Sequence, residues 1–318
     1  MVALLLAACG GSSTPAGDEG VDAGPEPGDL AVTVASYDLA VGPPARLLVG
    51  IETDDRRLVT YGTVELRFLF AGTGEGGTLS PGPTSTGRYL PVAGSDVPDP
   101  EPTAPQAVTA SEARGVYSTH VAFDRAGFWK VEVTADVDGT TRHGEGAFQV
   151  LDRHRLPAVG DEAPATENLT LTTPDTPRAA VDSRGASGEI PDPELHRTTI
   201  AAALGAGRPV VAVFSTPVYC TSRFCGPVTD TVDELARRYG DRAAFVHVEV
   251  WRDFQGKVVN KSAAEWLLRS EGLTEPWVYV VGGDRRIVAR FDNVVNRSEL
   301  EPVIQALPTS RPAGQGTG

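Results

Sequence analysis

The chain has 318 residues, enough for two domains with cores of their own. Its formal net charge of −14, with no Lys/Arg cluster against that sign, excludes a polyanion partner such as nucleic acid. Of only three cysteines, Cys9 stands apart, and the remaining pair, Cys220 and Cys225, suits an oxidising compartment.

Residues Val2 to Ala8 form an apolar run that ends in Leu6-Ala7-Ala8-Cys9-Gly10. This resembles a bacterial lipoprotein signal, in which small residues precede a cysteine that is lipidated and becomes the mature N-terminus. The basic segment expected ahead of the apolar run is missing, which implies a truncated start. The resemblance implies that Cys9 carries lipid, which would hold the protein on a membrane outside the cytoplasm of a bacterial envelope. Residues 10–28 are rich in Gly, Pro, Ser and acidic side chains and read as a flexible tether.

From 29 to 152 the pattern is all-β. Strands are expected at Leu30–Ser36, Arg46–Thr53, Thr63–Phe70, Gly115–Phe123, Phe128–Val137 and Gly146–Leu151, several with alternating apolar and polar residues. Asp138-Gly139 makes a hairpin turn. Ala71 to Pro105, rich in Gly and Pro, reads as a long loop. The segment Asp124 to Gly139 is similar to the penultimate hairpin of immunoglobulin-like sandwiches of envelope proteins, which implies a β-sandwich for this domain. His120 and His143 read as surface or satisfied polar residues rather than ligands.

Residues 153–195 read as a linker and lead-in. Val159-Gly160-Asp161-Glu162-Ala163-Pro164 resembles the lead-in of extracytoplasmic thioredoxin-like and peroxiredoxin-like domains. The rest is Pro-, Asp- and Ser-rich and would wrap onto the next domain.

The domain at 196–307 carries the chemistry. The apolar run Val210–Phe214 reads as a buried strand. Val228, Val232, Leu235, Ala236 and Tyr239 then mark the inward face of a helix over Pro227–Tyr239. Pro227 suits the first helical position and Gly226 the cap before it. Cys225 would lie at the positive end of that helix, where a thiolate is favoured, and Cys220 in the loop could fold back to bridge it. Further on, a strand is expected at Ala244–Val250. A capping box over Ser262 to Glu265 would open a helix that Gly272 stops. Strands at Trp277–Val281 and Arg286–Phe291 and a last helix through Leu300, Val303, Ile304 and Leu307 complete the order βαβαββα. Residues 308–318 read as a disordered tail.

This order, the cysteine pair, the helix beginning Cys225-Gly226-Pro227-Val228 and the segment Thr274-Glu275-Pro276-Trp277 resemble the thioredoxin superfamily. The resemblance implies an α/β thioredoxin-like fold and an extracytoplasmic thiol–disulfide oxidoreductase acting through Cys220 and Cys225. It places Pro276 at the family's cis-proline, shaping a groove for an incoming peptide. His247 falls where the family often carries a buried basic residue beneath the disulfide. The structural alternative for His247 is a core histidine satisfied by a backbone carbonyl.

Two departures stand beside the match. Four residues separate the cysteines instead of two, and Val213 occupies the place of the family's buried acid. Counting back from Tyr239 makes Cys225 the second cysteine of the motif, whereas reading Cys-Gly-Pro literally makes it the first, so the nucleophile stays open. Tyr219, Gly226 and Pro227 are supporting residues of the loop. A peroxidase echo in Ser215 to Cys220 lacks the usual spacing between Thr216 and the cysteine. Copper binding by the pair is the alternative activity, and a non-catalytic binding module with a structural disulfide is the third reading. No cofactor and no metal are expected, because two thiolates and one histidine make an incomplete set and Met1 is the only methionine. The expected partners are protein thiols and disulfides of the cell envelope, and the membrane through Cys9.

Overall fold

A computed structural model describes residues 29–74 and 77–308. Cys9, the tether at 10–28 and the tail beyond Pro308 lie outside the described residues.

Among the described residues nine strands fill the first half: β1 (Leu30–Val34), β2 (Ala45–Thr53), β3 (Leu58–Thr60), β4 (Thr63–Gly72), β5 (Ser80–Pro91), β6 (Gln106–Val108), β7 (Gly115–Val121), β8 (Gly127–Val137) and β9 (Thr140–Val150). Their order is β1-β9-β8-β4-β5-β7-β2-β3-β6, and β1 also pairs with β2. The ring β1-β9-β8-β4-β5-β7-β2 therefore closes on itself as a seven-strand barrel. The expected immunoglobulin-like sandwich is corrected on this point. A sandwich keeps two sheets apart, and here β1, antiparallel to β2 and parallel to β9, joins them. Alternation survives the correction: Trp129, Val131, Val133, Ala135 and Val137 of β8 all point inward.

The stretch expected as a loop from Ala71 to Pro105 also differs, because it holds the twelve-residue β5 between β4 and β7. Its polar sequence hid it, and its glycines make room for large neighbours. A Cβ on Gly82 would stand 2.5 Å from the Trp129 ring, and one on Gly87 3.1 Å from Val64 and Tyr117.

The second half contains α1 (Arg178–Val181), two 3-10 turns (Ser183–Ala186 and Pro193–His196), α2 (Ile200–Gly205), β10 (Val210–Ser215), α3 (Cys225–Tyr239), β11 (Ala244–Glu249), β12 (Trp251–Asp253), β13 (Val258–Val259), α4 (Lys261–Leu267), β14 (Trp277–Val281), β15 (Ile287–Asp292) and α5 (Arg297–Ala306). A mixed sheet runs β11-β10-β14-β15, with β10 parallel to β11 and antiparallel to β14. Both faces are covered, which is why Val210 to Phe214 is apolar without alternation. Val210, Ala212 and Phe214 pack with α2 and α4, and Val211 and Val213 pack with α3 and α5. The expected α/β thioredoxin-like fold behind an all-β sandwich is corrected. Among the described residues the molecule is predominantly β, with 18% helix, and only α3 and α5 exceed two turns.

Two helix starts shift. α3 begins at Cys225 itself, behind Phe224 and not behind Gly226. α4 begins at Lys261 without the expected capping box. The Glu265 carboxylate instead accepts from the Thr166 hydroxyl at 2.6 Å, and Asn260 ahead of the helix donates to Ala180 O and Glu249 O.

Barrel and sheet are joined by a polar and an apolar contact. Arg290 donates to Asp38 at 2.8 Å, Arg46 pairs with Asp292 and Glu299, and the Tyr37 N–H donates to Asp292 at 2.6 Å. Beside them Leu48, Leu90, Val92 and Val116 of the barrel half pack with Val294 and Phe224 of the sheet half.

Candidate redox site

Cys220 and Cys225 form a disulfide with Cα atoms 6.0 Å apart. β10 delivers the chain to the edge of the sheet, residues 216–224 loop outward, and α3 begins at the second cysteine. Cys225 is fully buried in the first helical position, under the positive end of the helix dipole. Cys220 is half-buried, and its sulfur lies 3.3 Å from the Ser222 hydroxyl. Of the two cysteines, Cys220 is the one that solvent reaches.

Pro276 is buried behind a cis peptide bond with Glu275. The residue that sequence reasoning missed is Glu275. One of its carboxylate oxygens lies within 4.8 Å of both sulfurs, and its Oε2 has no hydrogen-bond partner. Burial, and then the nearby charge of Glu249, push its carboxyl up to about 7. The Tyr37 hydroxyl, from the segment after β1, donates to the Glu275 carbonyl at 3.1 Å.

Tyr219 stacks flat on Phe254 with ring centroids 4.1 Å apart. Val218 beside it is 54% exposed and Phe254 37%, so an apolar rim adjoins Cys220 in the loop. Gly226 and Pro227 form the first turn of α3, where Pro227 O accepts from the Thr231 hydroxyl.

His247 does not reach the sulfurs by a hydrogen bond. It is fully buried, with Nε2 2.9 Å from Ser215 Oγ and Nδ1 3.3 Å from Asp182 Oδ2. Ser215 Oγ lies 2.7 Å from Thr229 Oγ1, which donates to the Cys225 carbonyl at 2.8 Å. The link from imidazole to cysteine thus runs through two hydroxyls to a backbone oxygen. Its far end, Asp182, comes from the stretch that the sequence presents as linker.

No family model matches the chain, and no curated protein matches it. Among solved structures it is similar to the PKD domain of human VPS10 domain-containing receptor SorCS2. The likeness has 15% identity and a TM-score of 0.18, and it covers 47% of this chain and all of that one. A score that low carries no argument about fold. The strand order itself corrects the membership in the thioredoxin superfamily expected from the sequence: the described residues form a predominantly β protein with a barrel and a small mixed sheet.

Proposed function

We propose that the protein carries out thiol–disulfide exchange through Cys220 and Cys225. The observation that carries this reading is the asymmetry of the bridge: one cysteine partly exposed, one buried at a helix N-terminus, and a carboxyl poised near neutrality beside both. In the oxidising direction a substrate thiolate attacks Cys220 Sγ. The S–S bond breaks, and its electron pair leaves on Cys225 Sγ, which takes a proton from the Glu275 carboxyl. A second substrate thiolate then attacks the substrate sulfur of the mixed disulfide and releases Cys220 as thiolate. The substrate loses two electrons and the protein's pair gains them; the reducing direction is the reverse. The exposed Val218 and Phe254, with the half-buried Tyr219 stacked on Phe254, offer apolar contact to an unfolded peptide.

The substrates under this reading are protein thiols and disulfides of the bacterial cell envelope. Lipid on Cys9 would hold the protein at the membrane from outside the cytoplasm. No helix among the described residues is long and apolar enough to cross a membrane.

Trapping tests it. Cys225→Ser leaves Cys220 unable to be resolved and should accumulate mixed disulfides, whereas Cys220→Ser should capture none. A bridge potential well below about −300 mV would mark a permanent staple and overturn the reading. Stoichiometric Cu(I) held by the reduced pair against a chelator would replace it with the copper alternative.

A further inference from the structure

A second cluster lies apart from the sulfurs. Asp182 follows α1, His196 ends the second 3-10 turn, and His247 is on β11. All three are fully buried. His196 Nε2 and His247 Nδ1 stand 3.4 and 3.3 Å from the same atom, Asp182 Oδ2. Neither nitrogen has a hydrogen-bond partner, and neither does the other nitrogen of His196.

Hydrogen-bond bookkeeping fixes what His247 presents. The Thr229 hydroxyl spends its one proton on Cys225 O, so the Ser215 hydroxyl must give its proton to Thr229. His247 Nε2 is then the donor to Ser215 Oγ. Nδ1, on the far side of the ring, faces a carboxylate oxygen with a lone pair unless a cation lies between them. Charge points the same way. Asp182 and Asp192 share a single guanidinium, Arg184, at 2.5 and 2.6 Å, which leaves negative charge in a buried site.

Two cations could serve, a proton or a metal ion. A proton shared between imidazole and carboxylate draws the heavy atoms to about 2.7–2.9 Å. Two ligands about 2.0–2.1 Å from one tetrahedral zinc ion stand about 3.3 Å apart. The observed 3.3 and 3.4 Å leave room for a metal ion among the three ligands, and metal analysis separates it from a protonated imidazole.

We propose that Asp182, His196 and His247 bind a divalent transition-metal ion of the zinc class. Asp192 Oδ1, also without a hydrogen-bond partner and 3.6 Å from His196 Nε2, is the candidate fourth ligand. Arg184 orients the two carboxylates from outside, and Ser215 fixes the tautomer of His247. Two imidazoles with carboxylate oxygens suit zinc better than calcium or magnesium. The sequence expectation of no metal considered only the two thiolates with one histidine. It missed Asp182 and His196 because they lie in an irregular Pro- and Asp-rich stretch or at its end. With no exposed ligand the site is structural. It clamps the segment from 182 to 196 onto β11, and that segment also holds the cysteine loop, since the Val218 N–H donates to Ser183 Oγ.

The test is metal analysis of the full chain, as purified and after equilibration with Zn²⁺ and removal of free ion. Stoichiometric zinc is expected, retained in the Cys220→Ser/Cys225→Ser double variant and in His120→Ala, and lost in His196→Ala. Because His196→Ala could fail to fold, the wild-type protein is also stripped with a chelator and refilled with Co²⁺. A tetrahedral cobalt spectrum without thiolate charge transfer is expected, along with a thermal midpoint that falls on stripping and is restored by Zn²⁺ but not by Mg²⁺. No metal as purified and none taken up would overturn the proposal. So would metal that leaves with the cysteines, or full retention in His196→Ala.

Discussion

Glu275 sets what a single side chain can do for this site. Its carboxyl is pushed up to about 7, from 4.5 for the free group, by burial first and by Glu249 second. A raised carboxyl binds its proton more tightly in the folded state. Its contribution to stability is therefore full below about pH 4.5 and is lost as pH rises through 7. Glu275→Gln stays neutral throughout. Its urea midpoint should match wild type near pH 4.5 and exceed it above pH 7, by about 3 kcal/mol in stability. A difference that stays flat across that range would remove Glu275 from the account. In the reduced protein, the same substitution should lower the pH at which Cys220 begins to react with an alkylating agent, because no carboxylate then opposes the thiolate. Sequence reasoning stopped one residue short of this group. Thr274-Glu275-Pro276 displays the proline, but the carboxyl's environment depends on burial and on chain far away in sequence, such as Tyr37.

Among the elements, the cysteine loop and the barrel seam lead to separate expectations. A bridge across five residues closes so short a loop that the chain-entropy estimate gives only about 2 kcal/mol. Reduction should lower the thermal midpoint modestly and leave the far-ultraviolet dichroism unchanged; unfolding on reduction would instead mark a staple. At the seam, Gly144 of β9 pairs with Leu30 of β1, and a Cβ on it would collide with the Leu30 carbonyl. Gly144→Ala should cost about 1–3 kcal/mol, read from the urea midpoint. Gly139→Ala at the exposed turn meets no neighbouring atom and serves as a strain control for φ +77°. Most elements from β10 to α5 were legible to within a few residues, because apolar runs and helical spacing there are strong and the turns carry glycine; the short pair β12 and β13 was not, because Trp251–Asp253 and Val258–Val259 are too short to show a period. β5 was not, because Ser-Pro-Gly-Pro-Thr-Ser-Thr-Gly has the composition of a loop and becomes a strand only between β4 and β7. The closure of the ring was equally hidden, since inward and outward residues alternate alike in a sandwich and a barrel.

For the whole molecule the decisive surface is where barrel meets sheet. Asp38 is buried there. Burial alone would raise its carboxyl, but the His154 hydrogen bond, then Arg290, hold it well below the usual range. A depressed carboxyl contributes stability that is complete above its unfolded value near 3.8 and disappears as pH falls below it. Arg290→Ala should cost about 3 kcal/mol, because it leaves a buried carboxylate short of its cation. The loss should shrink in acid, where Asp38 takes up a proton. Separate unfolding of barrel and sheet in this variant, seen as two calorimetric transitions, would show that the contact holds the halves together. A cost near zero would show that the apolar packing of Leu48, Leu90 and Val294 suffices.

The seam between β1 and β9 also orders events in time. β1 can zip onto β2 as soon as both exist, but its parallel partner β9 lies more than a hundred positions later in the chain. Long-range parallel pairing of this kind is slow to form. During delivery from one end, the barrel therefore waits as an open sheet until its final strand arrives. In that interval the outer margin of β1 is the place where a wrong neighbour can join.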